Sequence, residues 1–356
     1  MSQTIQGSKG FAEAKNYRGS RILWAVPIVY KNGKRRTGHS MTVSGCPGQA
    51  GSAARGCMSE PRFEAADARA QFERLLGELR PRLHRFCARM TGSVIDGEDI
   101  VQEAMLKALE SLSESEAIDN PEAWVFRIAH NTALDFLRRR ARQQSLQSDE
   151  STDMIVDPAT PIEDRKAVTV SLRTFMHLPA AQRGAVILKD VLGYSLDEIG
   201  HVMQATLPAV KAALHRGRQQ LRDLASAPEE RSVAVLAEPE RSRLAAYVDR
   251  FNAHDFDAVR EMLADEVRLE VVNKVRLSGR REVSKYFTNY GQVSDWNLIP
   301  GFVDRRPGIL VRDPADPNGR PTYFILLSWG VDGLLGIRDF RYARYAIEGA
   351  ELIALQ

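Results

Sequence analysis

Between Phe63 and Arg142 the apolar residues keep a helical period almost without interruption, which limits the first part of the chain to packed helices. In DGEDIVQEAMLKALESL, residues Val101, Ala104, Met105, Ala108, Leu109 and Leu112 recur at three and four and make one buried stripe. Asp99, Gln102, Glu103 and Glu110 fall on the other side, where solvent alone would also favour them. The next segment, NPEAWVFRIAHNTALDFLRRRAR, opens on Asn120 as an N-cap and Pro121 at the first helical position, where a missing N–H costs nothing. Arg127, Asn131, Asp135, Arg138 and Arg142 share an arc of roughly 80° on that helix. Val125, Ile128, Ala129, Ala133 and Phe136 lie mostly opposite. A polar stripe ending in an arginine cluster suits a helix laid along DNA, with arginines on phosphates and Asn and nearby aromatics on bases. The arginines also complement the dipole at a helix C-terminus, which accounts for some of them without DNA.

A second helical block covers 178–224. Ser195 and Glu198 form a capping box, Gln204-Ala205-Thr206 supplies a turn, and Thr206 can cap a further helix with Pro208 in its first turn. Two helices joined by so short a turn predict a helix-turn-helix whose second member enters a major groove. Val210, Leu214, Gly217 and Leu221 would pack inward, leaving Pro208, Lys211, Ala212, His215, Gln219 and Arg222 outward, with Arg216 and Arg218 at the flanks.

The net charge of +3 leaves nucleic-acid contact to local patches. Residues 1–57 hold nine Lys or Arg against the single acid Glu13, so the remainder of the chain is mildly acidic. This segment has no sustained period and is expected to be a disordered basic tail, or sequence upstream of a start at Met58. Cys46, Cys57 and Cys87 lack metal-ligand spacing and point to a reducing compartment. The apolar stretch ILWAVPIVY at 22–30 is too short to span a bilayer. A cytoplasmic chain with no membrane contact is expected.

After the polar stretches 143–167 and 226–239, which read as linkers, the pattern changes. Two helical runs give way to strict alternation of Val267, Leu269 and Val271 with Arg268 and Glu270. Further strands are expected at 293–303, 308–312, 321–330 and 334–345, with a helix near 280–289. Helices followed by an antiparallel sheet predict an α+β domain over 240–356. His254, Asp295, Asp339 and Tyr342 are the groups that could act in its interior, and alternation alone does not say which point inward.

DGEDIVQEAMLKAL followed by PEAWVFRIAHNTALDFLRRRAR resembles region 2 of the extracytoplasmic-function group of bacterial sigma factors, the RNA polymerase subunits that select promoters. LPAAQR, DVLGYSLDEI and VKAALHRGRQQLRDL resemble region 4 of the same group, in the same order along the chain. YVDRFNAHDFDAVREMLADEVRLE and SGRREVSKYF resemble the SnoaL-like cone fold, which hosts enzymes, binding modules and dimerisation domains. The resemblance implies a multi-domain chain: an all-α region 2 bundle over 63–142, an all-α region 4 helix-turn-helix over 168–225, and an α+β SnoaL-like cone.

The same resemblance implies roles. Asp96, Glu98, Asp99, Gln102 and Glu103 would face the clamp helices of the core RNA polymerase. Asn120, Trp124, Arg127, Asn131, Asp135 and Arg138, Arg139 and Arg140 would engage the minus-10 element of promoter DNA. The loop 113–120 would capture a flipped base, whose extrusion costs a few kcal/mol. Thr206, Pro208, Lys211, Ala212, His215, Arg216 and Arg218 would read the minus-35 element, although the turn QATLPAVK departs from the family's usual run and leaves the promoter preference open. No catalysis and no cofactor are implied, and the cone is expected to regulate the factor. A helix-turn-helix regulator that never binds polymerase, and a small-molecule sensor or enzyme built on the cone with a ligand inside it, are the alternatives. If the cone masks region 2 or region 4, cutting after about Ala225 should raise polymerase binding.

Overall fold

Helix α2 (Val94–Ser111) starts where it does because the Ser93 hydroxyl accepts from the backbone N–H groups of Ile95 and Asp96, two of the donors a helix leaves unpaired at its start. It packs on α1 (Glu60–Thr91) through Gly97, where a Cβ would stand 2.6 Å from the Ala88 backbone nitrogen. Only glycine permits that approach. Helix α3 (Pro121–Ser145) is capped as its sequence predicts, with Asn120 Oδ1 accepting from the Ala123 N–H at 3.0 Å. Phe86, Val101, Met105, Phe126 and Ala129 fill the space between these three helices.

The computed structural model describes residues 60–112, 118–145, 171–225, 236–316 and 319–355. The basic segment 1–57, residues 113–117 of the loop 113–120, and residues 146–170 and 226–235, which take in most of both linkers, lie outside the described residues. The chain divides at Phe72, before which only the opening turns of α1 are described, and Glu73–Gln356 form the second unit.

Within that second unit, α4 (Leu172–Phe175) and α5 (Ala180–Val186) lead into a π-helical turn, Ile187–Val191. Ser195 and Glu198 complete the expected capping box and open α6 (Leu196–Met203). Gln204 takes a left-handed conformation (φ 52°) and turns the chain into α7 (Leu207–Ala225). Val210, Leu214 and Leu221 are buried on the inner side of α7, as their spacing requires.

Helices α8 (Glu238–Asn252) and α9 (Phe256–Glu261) precede the sheet. Its strands are β1 (Leu263–Val271), β2 (Val275–Ser278), β3 (Asn297–Val303), β4 (Arg306–Arg312), β5 (Tyr323–Trp329), β6 (Leu334–Asp339) and β7 (Leu352–Ala354), with α10 (Arg280–Tyr290) between β2 and β3. The order across the sheet is β2-β1-β6-β5-β4-β3-β7, and only β1 and β6 run parallel. Val267, Leu269 and Val271 all point to one buried face, as the alternation predicts. This is the expected α+β region.

Three local expectations change. The strand expected over 334–345 stops at Asp339, because Phe340 turns away and Arg344–Ile347 form a 3-10 turn. The strand expected from 293 begins at Asn297, the preceding turn being tied by Trp296 Nε1 donating to the Val293 carbonyl. Strands β2 and β7 were not expected, since four and three residues are too few to display a period.

The sheet has two apolar faces. Tyr247, Phe251, Val283, Phe287, Tyr290 and Trp296 from the helices and the turn before β3 fill one. On the other, Val303, Leu310, Phe324, Phe340, Ala343 and Ala346 share a core with Ala88, Val94, Ile95 and Leu172 of the helical regions.

Candidate functional site

Helix α2 lies across the second face of the sheet, and its polar stripe meets one arginine after another. Asp96 Oδ1 accepts from Arg306 of β4 at 2.5 Å. Three residues on, Asp99 pairs with Arg338 of β6 at 2.6 Å. Three further, Gln102 donates to Glu270 of β1 at 2.8 Å and accepts from Arg276 of β2. Positions i, i+3 and i+6 of one helix face are thus matched by arginines from three strands. Burial pushes the Glu270 carboxyl upward, but Arg338 and Arg276 outweigh it and hold it below the ordinary carboxylate range.

The N-terminus of α2 is covered as well. Asp304, at the β3–β4 turn, accepts from the Val94 N–H at 2.6 Å and from the Glu351 N–H at 3.0 Å. A carboxylate at a helix N-terminus complements the dipole. Asp304 and Arg305 both have positive φ (47° and 65°), a conformation that ordinarily selects Asn or Gly. Burial raises the Asp304 pKa against the pull of those two N–H donors.

Glu98 was expected on the polymerase face with its neighbours, but the structure turns it inward. It is wholly buried, paired with Arg80, and accepts from the Tyr345 hydroxyl at 3.1 Å, while Arg80 Nε donates to that hydroxyl at 2.7 Å. One residue from Asp99 is about 100° around a helix, enough to cross from the stripe to the core side. Glu103 stays on the stripe, half-buried, beside Lys107 and Arg139.

Along α3, Asn131, Asp135, Arg138, Arg139 and Arg140 are exposed, Trp124 and Arg127 are half-buried, and Asn120 serves as the cap. In the helix-turn-helix, Thr206, Pro208, Lys211, His215 and Arg216 are exposed and Ala212 is half-buried. Arg218 is engaged otherwise than expected: it grips the buried Asp190 of the π-helical turn through two hydrogen bonds of 3.0 and 2.6 Å. That pair fixes α7 against the turn before α6. A groove of about 370 Å³ opens beside the α6–α7 turn, lined by Leu196, His201, Gln204, Thr206 and Leu207.

The two helical regions also hold each other. Glu122 at the start of α3 accepts from Tyr194 at 2.6 Å and from Arg82 at 2.7 Å. Arg183 donates to the carbonyls of Met90, Met176 and Leu178, and burial lowers its pKa to about 10. His130 lies buried against Gly184, with its pKa lowered to about 4 by the same cause.

Of the four groups named for the interior of the sheet domain, Asp339 alone is deep inside. It accepts from Tyr286 at 3.0 Å and Tyr290 at 2.8 Å, and burial raises its pKa against those bonds. Asp295 instead meets Arg341 through two 2.7 Å bonds, His254 lies beside Trp296, and Tyr342 is exposed next to Lys274. The four do not converge.

Sequence reasoning found the α2 stripe and missed what covers it. Arg276, Arg306 and Arg338 sit on outward strand positions, where an arginine reads as ordinary solvated surface. Asp304 had one signal, a turn without glycine between two apolar runs.

Comparison with known proteins supports the domain order. The Sigma-70 region 2 family matches residues 75–143, and the Sigma-70, region 4 family matches 172–221. The ECF RNA polymerase sigma factor SigG of Mycobacterium tuberculosis is 28% identical over 235 residues, 59% of this chain. The match spans 64% of SigG, a little under two thirds of that relative's length. The ECF RNA polymerase sigma factor SigF of Caulobacter vibrioides is 32% identical over 137 residues, 38% of this chain and 74% of SigF. Among solved structures, the extracytoplasmic function sigma factor SigJ of Mycobacterium tuberculosis aligns over 77% of this chain and 95% of its own at 18% identity and a TM-score of 0.28. Among the described residues no helix is long and apolar enough to cross a membrane. With both regions matched in sequence order, and SigF covered over most of its length, the chain belongs to the extracytoplasmic-function group of RNA polymerase sigma factors.

Proposed function

We propose that this chain recruits core RNA polymerase to promoters, with the α2 stripe as its polymerase face, α3 on the minus-10 element and α7 on the minus-35 element. The C-terminal domain regulates that activity by covering the stripe. One observation carries this reading: Asp96, Asp99 and Gln102, three of the five residues assigned to polymerase contact, are each met by an arginine of the sheet. A surface that already binds cationic side chains in this register is suited to a second cationic surface, and the two exclude each other. Binding polymerase therefore requires the sheet to let go.

No catalytic step is assigned to the C-terminal domain, since its candidate acids and bases stand apart. A small-molecule ligand inside it is not part of this reading, because Tyr247, Phe251, Phe287, Tyr290 and Trp296 occupy that interior. The test is co-elution of purified core polymerase with the full chain and with Asp99→Lys/Glu103→Lys. Binding by the parent chain that the reversals abolish supports the reading. A failure of the parent chain to bind, together with failure of variants whose sheet arginines are removed, refutes it and leaves a regulator that acts without polymerase.

A further inference from the structure

Two carboxylates of the α2 stripe also serve α3. Asp96 Oδ2 lies 3.3 Å from Arg140, while its other oxygen takes Arg306. Glu103 Oε2 lies 3.5 Å from Arg139, while its other oxygen takes Lys107 at 2.7 Å. The third arginine of the run, Arg138, pairs with Asp135 on its own helix at 3.0 Å. All three arginines of the run Arg138–Arg140 therefore face a carboxylate, and two of those carboxylates come from α2. A guanidinium held this way must exchange its partner before it takes a phosphate.

We infer that Asp96 and Glu103 are positioning residues for promoter contact: they tether Arg140 and Arg139 to α2 in the free chain, and a partner that takes their oxygens releases both arginines to DNA phosphates. The inference rests on the function proposed above, in which α2 meets polymerase and α3 meets DNA. A cationic surface that takes Asp96 Oδ2 and Glu103 Oε2 competes with Arg140 and Arg139 for those oxygens. Polymerase and DNA then strengthen each other's binding, and by thermodynamic linkage the effect is reciprocal. The arginine side chains are 54% and 45% exposed; Arg139–Glu103 is a weak surface pair, and Arg140 meets the nearly buried Asp96 from the solvent side. The C-terminal domain does not undo it. Arg306 occupies the second oxygen of Asp96 and leaves Arg140 on the first.

The tether is read out by DNA affinity of the full chain without polymerase, measured by anisotropy on a labelled random-sequence duplex between about 50 and 200 mM salt. Asp96→Asn with Glu103→Gln keeps side-chain shape and removes both charges. The plot of log K against log salt should steepen by about 0.9 for each released arginine, about 2 in all, with tighter binding at the low-salt end. In an Arg139→Ala/Arg140→Ala background the same two changes should leave the slope unaltered.

An unchanged slope in the first comparison overturns the inference. So does a gain that persists without the two arginines, since loss of acidic charge alone then accounts for it. Arg306→Ala loosens the C-terminal contact while keeping Asp96, and it should retain the parent slope; a steeper slope there assigns the masking to the sheet and overturns the tether equally. Co-elution of the parent chain with core polymerase is read separately. Its failure removes the function proposed above and leaves the slope comparison standing on its own.

Discussion

Removing the arginines that cover α2 should raise the affinity for core polymerase, and the structure sets how far. Arg306 is half-exposed and bonded to the nearly buried Asp96, so Arg306→Ala should cost the closed form about 1.5 kcal/mol, the low end for a hydrogen bond between charged groups. Arg338 also touches Glu270 of the same sheet, a contact that opening keeps, so only its pair with the half-exposed Asp99 counts and its loss should cost about 1 kcal/mol. Each 1.4 kcal/mol is about tenfold, so the Arg306 change shifts the open-to-closed ratio about tenfold and the double change, about 2.5 kcal/mol, about sixtyfold. Apparent affinity scales with the open fraction, so these are the expected gains until the open form dominates. The assay is a titration of labelled full chain with core polymerase. Arg305→Ala is the control, since Arg305 meets Glu351, on the sheet side, at 3.8 Å and has no bond to α2. If the double variant binds polymerase within twofold of the parent, or if the control gains as much, the sheet does not gate the stripe.

Gly97→Ala would drive a methyl group into the Ala88 backbone, so despite alanine's better helix propensity the net loss should be about 1–3 kcal/mol by urea denaturation. No loss would mean that α1 and α2 part without cost. Glu98→Ala leaves Arg80 buried without its carboxylate and should cost about 3–5 kcal/mol in the same assay. Part of the pH dependence rests on His130, alongside His84, which burial shifts in the same direction. The folded pKa of His130, about 4, lies below the unfolded value near 6.5, so its contribution is complete above pH 6.5 and is lost as pH falls towards 4. From pH 7 to pH 5 this removes about 2 kcal/mol, and His130→Leu should flatten that part of the stability profile. An equally steep profile in the variant would place the acid sensitivity elsewhere.

Much of this was legible because it is local. The caps at Asn120 and Ser195, the stripe on α2 and the alternation along β1 are set by neighbours within one or two turns. The partners of the stripe are not local: Asp96 meets a residue 210 positions away and Gln102 one 174 positions away. No period or composition records such pairs. The partner of Arg218 escaped the sequence for a related reason, since an arginine on the flank of a recognition helix looks the same whether or not an aspartate lies beside it. Strands β2 and β7 escaped notice because the pairing with β1 and β3 defines them, rather than their own residues.

The apolar core that joins Ala88, Val94, Ile95 and Leu172 to Phe324 and Phe340 bears on how such a chain can be shortened. A stop after Ala225 would strip the sheet's cover from these four side chains. The product would be sticky as well as unmasked, so greater occupancy of polymerase by a truncated form would be confounded by self-association. The same holds for lineages: losing the last domain in one step leaves a greasy scar on the remainder. Descendants without it should therefore carry polar replacements at those four positions.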